Sequence, residues 1–461
     1  MSLTLGPILG AVSHQEARIW FLAEHPGDVL VHVFREPGAE IAGSPFRPAS
    51  LDSWSGTATT RVPLPEPAVR YRYDLRDARG RSWLPAGLGR PGFQSAPPPG
   101  SAAGCRFALV SCNDMRRADE APWRALRRTI EREEIELLMC AGDQVYLDDE
   151  WKRHITNGTA FPPSTRRAYE AGYTAQWRWP ELRRTLANVP TYMIWDDHEI
   201  RNGWGSVPAD ARVAKRRQGF AIAREAYWRF QHEHNPPSFC CPDEDLFYAF
   251  RHGAIGFLVL DLRGARDATR RRDALLGAHQ WAAVTRWLDE EPAGLRALFV
   301  VTSVPPVHVR SLALIPRGWL PSDLQDQWTS PPYRAELARL IEALFRCANA
   351  FDLPVVLLAG DAHVGTAVAI RSTRPEHASR PVLLQLTSSP LTGEPFAPLI
   401  SRPPRYFQRV PIAEGIEGEI LDWLPERNFG VVAAAPSAGR TEITLRLVDE
   451  HGATRVRRAL S

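Results

Sequence analysis

Four short segments of the chain carry residue types that bind multivalent cations. They are Ser111-Cys112-Asn113-Asp114, Gly142-Asp143-Gln144-Val145-Tyr146, Asp196-Asp197-His198-Glu199 and Gly360-Asp361-Ala362-His363. Each directly follows an apolar run of strand length, at residues 107–110, 137–141, 192–195 and 355–359. In open α/β sheets, ligand sites gather beyond the carboxyl ends of strands. Four such ends brought side by side would pool carboxylates, imidazoles and a thiolate in one crevice, a donor set suited to multivalent cations. Taken singly, each piece has an ordinary reading. Asp143 is a possible helix cap, Cys112 an inert buried thiol, His363 a satisfied core histidine and Asp196-Asp197 a solvated turn. Taken together, Asp143, Asp197 and Asp361 buried in one cluster would be costly without a cation, because neighbouring carboxylates resist joint ionisation.

The elements that must position these residues follow from the hydrophobic pattern. Up to residue 94 the chain reads as all-β: runs at 17–21, 29–34 and 69–75 are short, rich in β-branched and aromatic residues, and separated by turns at Pro26-Gly27-Asp28 and Arg79-Gly80. This predicts an N-terminal β-sandwich over 1–94. Residues 95–104 (Ser-Ala-Pro-Pro-Pro-Gly-Ser-Ala-Ala-Gly) read as a linker, and 105–461 as a catalytic domain. There, strands expected at 106–110, 137–141, 191–195, 255–260, 297–302, 355–359 and 382–386 alternate with helices expected at 122–135, 166–189, 209–231, 277–290 and 333–350. Such alternation argues an α/β (α+β) fold with a buried sheet. Segments 429–434, 441–448 and 453–459 read as closing antiparallel strands.

Composition narrows the function classes. The chain has 461 residues, with 56 basic against 53 acidic, a net charge of +3. Only Lys152 and Lys215 are lysine; the other 54 basic residues are arginine. A nucleic-acid binder would show a large basic excess or one basic face. The runs Arg270-Arg271-Arg272 and Lys215-Arg216-Arg217 instead lie beside acids in or near expected helices. Nucleic acid is therefore expected only as a substrate. No stretch approaches the roughly 20 apolar residues of a membrane span. The six cysteines include no CxxC, and no leader segment is read, so a cytoplasmic location is expected.

The motifs Gly142-Asp-Gln-Val-Tyr146, Trp195-Asp-Asp-His-Glu199 and Gly360-Asp-Ala-His363, with Asp261-Leu-Arg263-Gly-Ala-Arg266, resemble those of the PhoD-like alkaline phosphatase/phosphodiesterase family. That family is a branch of the calcineurin-like metallophosphoesterases. Gly6-Pro-Ile-Leu-Gly10 and Ala17-Arg-Ile-Trp20 resemble the opening of its N-terminal β-domain, so the resemblance covers nearly the whole chain. It implies a four-layer αββα double sheet and metal-dependent hydrolysis of small phosphate esters, mono- or diester. It assigns Cys112 as an iron thiolate ligand, Asp143 as the bridge between metals, Tyr146 as a phenolate ligand, and Asp197, Asp361 and His363 as further ligands. His198 takes the place of the catalytic histidine, and Asn202 is a further polar contact. The implied metals are Fe³⁺ with one or two Ca²⁺; Zn²⁺, Mn²⁺ or Mg²⁺ remain open at the second site.

Two positions depart from the pattern. Asn113 stands where glutamine is expected, and no histidine directly follows the strand at 297–302; Thr302 and Ser303 do, with His308 further on. In the implied chemistry two cations clamp an in-line displacement. His198, oriented by Glu199 or Asp196, protonates the leaving oxygen. Arg263 either grips phosphoryl oxygens or forms a structural ion pair with Asp261 or another carboxylate, with Arg201 and Arg266 as weaker candidates. Two competing readings remain: an arginine-rich polyanion binder with a structural metal site, and a two-carboxylate glycosidase with tryptophans such as Trp177, Trp179 and Trp204 stacking on sugars. The glycosidase reading leaves Cys112 and Tyr146 without a task.

Overall fold

The computed structural model describes residues 3–25, 29–38, 40–41, 56–116, 119–157, 163–270, 272–309, 326–395, 405–437 and 440–460. The turn expected at Pro26-Gly27-Asp28, residues Met1 and Ser2, and Arg271 of the basic run lie outside the described residues.

The N-terminal region forms two three-stranded antiparallel sheets. One joins β1 (Leu5–Val12), β2 (Glu16–Leu22) and β4 (Thr57–Pro63); the other joins β3 (Leu30–Arg35), β5 (Arg70–Arg76) and β6 (Gly92–Gln94). Side chains alternate across a strand, and β2 uses both faces. Ile19 and Phe21 pack with Val31, Val33, Tyr71 and Tyr73 between the small sheets. Trp20 and Leu22 point the other way, into the core of the main body. Trp20 lies edge-on to Trp177 at 6.3 Å, and its indole N–H donates to the Arg229 carbonyl at 2.7 Å.

The main body has two larger sheets. The first runs β20 (Thr454–Leu460), β19 (Arg440–Asp449), β18 (Asn428–Ser437), β7 (Cys105–Val110), β8 (Leu137–Ala141), β9 (Thr191–Ile194), with β7, β8 and β9 parallel. The second runs β10 (Tyr248–His252), β11 (Ile255–Val259), β12 (Ala297–Thr302), β13 (Val355–Ala359), β15 (Val382–Thr387), β14 (Gly365–Ser372), β17 (Ile416–Leu424), β16 (Arg409–Ala413). Its parallel core is β11-β12-β13-β15. The sheets face each other through Phe107, Phe257 and Phe299, whose rings lie 4.8–5.4 Å apart. Strand β12 shows why its apolar run has no polar gap. Phe299 and Val301 face the first sheet, while Leu298 and Val300 face the helices Gly277–Glu290 and Arg334–Ala350. Helices Ala121–Glu133, Pro163–Trp177, Pro180–Asn188 and Ala214–Phe230 supply buried side chains to the other core. The result is the four-layer αββα arrangement.

Some expected elements differ. The single helix read over 166–189 is two, because Pro180 has no N–H to continue the first and instead starts the second. The helix read over 209–231 is broken at Val213, whose backbone is extended (φ −83°, ψ 116°). Strands β10, β14, β16 and β17, all antiparallel additions to the second sheet, are not among the strands expected from the hydrophobic pattern. No described helix is long and apolar enough to cross a membrane.

Candidate metal centre

The carboxyl ends of β7, β8, β9, β12 and β13 converge where the two sheets meet. The Gly360 N–H donates to the Ser303 carbonyl at 2.9 Å, joining the ends of β13 and β12. Two glycines permit the approach. A Cβ on Gly142 (φ +90°) would lie 2.6 Å from the Asp196 Cβ, and one on Gly360 would collide with the Ala141 carbonyl and Ser111. Each glycine precedes an aspartate of the motifs, so the Gly-Asp pair is a steric requirement of the crossing. Immediately beyond, Cys112, Asp143, Asp361 and His363 adopt left-handed backbone conformations (φ +51° to +59°), which non-glycine residues seldom occupy. Strain of this kind collects where a fold aims side chains at one point.

Ligand atoms of Asp143, Asp196, Asp197 and Asp361 lie within 4.8 Å of one another, as do those of Asp143, Asp197 and His198. The Cys112 thiol contacts Asp143 Oδ2 at 3.4 Å, and the Tyr146 hydroxyl lies 3.5 Å from His363 Nε2. The structure thus brings Cys112, Asp143, Tyr146, Asp197, His198, Asp361 and His363 together. His363 Nδ1 donates to the Glu394 carbonyl at 2.5 Å, leaving Nε2 directed at the cluster. An outer hydrogen bond of this kind fixes a ligand imidazole.

The electrostatics describe a site crowded with acids. Burial, reinforced by Cys112, Asp197, Asp196 and Glu199, pushes Asp143 well above the usual carboxylate range. Burial with Asp196 and Asp197 does the same to Asp361. The Tyr146 phenol is raised well above its ordinary value by burial, Cys112 and Asp143. Burial also pushes up the Cys112 thiol, but His363 and the Ser389 and Ser111 hydroxyls outweigh it and bring the thiol down to about 7. Asp197 Oδ1 is buried with no hydrogen-bond partner among the described residues. A multivalent cation relieves each of these states at once, displacing protons from the acids and taking the orphaned oxygen. The residues present therefore fit a multinuclear cation centre.

Other residues stand differently from expectation. Arg263 is fully buried, and its Nη2 lies 3.7 Å from Asp197 Oδ1 beneath the cluster. Its Nε and Nη2 hold Asp196 at 2.5 and 3.0 Å, and Nη1 holds Asp326 at 2.6 Å and the Trp204 carbonyl at 3.1 Å. The structural ion pair is thus the arrangement found, with Asp196 and Asp326 as partners; Arg263 reaches the Asp261 carboxylate through its backbone N–H and not its guanidinium. Asp196 is occupied by Arg263 and by the Ser303 hydroxyl (2.7 Å), so Ser303 is engaged where a fourth-motif histidine was sought. His308 is buried elsewhere, stacked on Trp423 at 5.7 Å. Asn202 is exposed, and its backbone N–H donates to Asp148 Oδ1 at 2.6 Å.

Neither Asp196 nor Glu199 orients His198. Asp148 does, with Oδ2 2.6 Å from His198 Nδ1. Burial alone would lower His198, but Asp197 and Asp148 raise it to about 10. Glu199 instead accepts the backbone N–H groups of Asp143, Gln144 and Asp196 and the Gln231 amide, tying the loops after β8 and β9 to the end of the helix Ala214–Phe230. Asp148 escapes a reading of the sequence because Asp148-Asp149-Glu150 looks like the acidic start of an exposed helix. Ser389, Gln327 (2.8 Å from Asp361 Oδ2) and Arg116, whose guanidinium lies 5.3 Å over the Tyr146 ring, leave no signal of spacing at all.

Two solved structures share the fold. "Structure of PhoD" aligns over 100% of this chain and 92% of its own, with a TM-score of 0.71 at 16% identity. A purple acid phosphatase, PPD1, from yellow lupin (Lupinus luteus) seeds aligns over 99% of this chain and 74% of its own, with a TM-score of 0.61 at 12% identity. No curated protein matches the sequence. The family model described as PhoD-like phosphatase matches residues 107–431, a span that holds all four liganding segments. The chain belongs to the PhoD-like phosphatase family and is a phosphoester hydrolase.

Proposed function

We propose that the protein hydrolyses small phosphate mono- or diesters at a mixed-metal centre held by Cys112, Asp143, Tyr146, Asp197, Asp361 and His363. The observation that carries this reading is the convergence of two buried aspartates and a half-buried one, a thiol, a phenol and an imidazole on one point. Phenol and thiol donors favour Fe³⁺, and carboxylates favour Ca²⁺ or another hard divalent ion. The cations, when bound, supply Lewis acidity and neutralise the phosphoryl charge that repels a nucleophile.

The chain's own residues do the rest. Asp143 reaches both halves of the cluster, touching the Cys112 thiol with one oxygen and the His198 backbone N–H with the other. His198, its ring held by Asp148 through Nδ1, is placed to give the remaining ring N–H proton to the leaving oxygen. Arg116 lies over the Tyr146 ring with its Nε and Nη2 on Asp114 and its Nη1 on Asp149, and is a candidate to meet a substrate anion by exchanging one of those partners. Arg263, with every N–H direction but one edge committed to Asp196, Asp326 and Trp204, holds the scaffold. A reducing, cytoplasmic setting fits six cysteines that are all free thiols.

Elemental analysis and ester hydrolysis by Asp143→Asn test the reading. The expected result is loss of the bound metals together with activity. A metal-replete, fully active Asp143→Asn protein overturns it.

A further inference from the structure

A second cluster of ligand types lies apart from the centre. Cys240, Cys241, Asp245 and His279 each offer an atom within 4.8 Å of the others. The two thiols and the carboxylate come from one loop, residues 238–245, which leads into β10. The imidazole comes from the third residue of the helix Gly277–Glu290. The loop is already shaped. The Ser238 hydroxyl accepts the Cys240 N–H at 3.1 Å and donates to Asp245 Oδ2 at 3.2 Å. The Cys241 N–H donates to the same oxygen at 3.0 Å, and the Cys241 carbonyl accepts the N–H groups of Glu244 and Asp245. Asp245 Oδ1 is thereby turned toward His279 Nε2, 3.0 Å away, and the Cys240 thiol lies 4.0 Å from the same nitrogen. Phe239 and Phe247 pack against each other at 5.4 Å, and Phe247 sits 6.0 Å from the His279 ring.

A surface aspartate–histidine ion pair accounts for one of these contacts. It does not account for the Cys240 thiol beside the same nitrogen, nor for the adjacent Cys241 thiol within 4.8 Å of the same ligand atoms. Two thiolates, an imidazole and one carboxylate oxygen make a four-ligand set for a tetrahedral, borderline-soft cation. Zn–S and Zn–N bonds of about 2.3 and 2.0 Å put such ligands about 3.3–3.8 Å apart, so closure needs only small side-chain movements. We propose that Cys240, Cys241, Asp245 and His279 bind one structural Zn²⁺, which clasps the 238–245 loop onto the helix Gly277–Glu290. The side-chain amide of the next residue of that helix, Gln280, accepts the Asp261 backbone N–H at 2.9 Å and donates to the Asp261 carbonyl at 2.8 Å. Asp261 in turn receives the Trp195 indole N–H at 2.7 Å, beside Asp196. The clasp thus steadies a helix that supports the floor of the catalytic centre without entering it.

Full-length protein carrying Cys112→Ser, which removes the other candidate thiolate, is titrated with Co²⁺ alone. Thiolate-to-Co²⁺ charge-transfer absorption and tetrahedral visible bands should saturate at one equivalent and vanish on adding Zn²⁺. Adding Cys240→Ser and Cys241→Ser should abolish them. Absence of these bands in the Cys112→Ser protein, or their survival in the triple variant, overturns the clasp. Should Cys112→Ser fail to fold, zinc content decides. Wild-type protein should retain one more Zn²⁺ per chain than Cys240→Ser/Cys241→Ser or the exposed-residue variant His279→Ala, and equal content overturns the proposal.

Discussion

The two ligand clusters are held by opposite means. Around Asp143 the donors sit at the ends of buried parallel strands. Four of them have left-handed backbones, and Asp143 itself is only 1% exposed. Around Cys240 the donors sit on a loop and a helix end, none of the four has a left-handed backbone, and the His279 side chain is 58% exposed. The first cluster is strained, largely buried and supported by a buried ion network; the second is relaxed and more open to solvent. Chemistry on a bound ester needs donors fixed against their own repulsion. A structural ion needs only four donors within reach and imposes the geometry itself. The fold must therefore build the first centre, whereas a metal completes the second.

The largest effect should come from breaking the ion network under the first cluster. Arg263→Met leaves Asp196 buried without its cation, while Asp326 keeps Arg266; stranding a buried charge in this way costs about 3–5 kcal/mol. Denaturant unfolding should show that loss even with no substrate present, whereas an arginine that only gripped phosphate would change KM and leave stability alone. Next is the proton donor. His198→Gln should lower kcat by about 10²–10⁴-fold on an alkyl ester and much less on an ester with an acidic leaving group. Asp148→Asn should follow the same leaving-group trend with a loss of about 10–100-fold. A uniform loss across leaving groups would assign both residues to structure. Tyr146→Phe sharpens the contrast spectroscopically. The purified protein should carry a visible phenolate-to-Fe³⁺ band that this variant lacks, and a colourless, iron-free wild type would refute the iron assignment. Smallest of all, Cys240→Ser/Cys241→Ser should leave kcat within about twofold, the range of an ordinary surface change.

Much of this is legible from residue order. The strands at Leu137–Ala141, Ala297–Thr302 and Val355–Ala359 read correctly to the residue, because apolar runs that end in Gly-Asp or Thr-Ser have sharp edges. The antiparallel strands Gly365–Ser372 and Ile416–Leu424 do not. Glycines, charged residues and part-exposed positions along them blur the period-two pattern. Among site residues, the liganding segments are visible because each interrupts an apolar run. Asp148 and Arg263 exchange apparent roles: an aspartate that looks like a surface charge orients His198, and an arginine in a suggestive motif is locked away by Asp196 and Asp326.

Residue order alone determined which donor types follow which strands, and hence that they suit multivalent cations; the phosphate ester was implied by the family resemblance of those motifs. Covalent proximity suffices for that, since Asp143 must follow β8 wherever β8 lies. Pairing of side chains from distant segments was decided only by the tertiary packing of strands, sheets and helices. Asp148 with His198, Ser303 with Asp196, and His279 with the Cys240–Cys241 loop are 50, 107 and 34 to 39 positions apart or set by elements that far apart. Burial then converted those meetings into energies, because a charge removed from water takes whichever partner the packing leaves within reach.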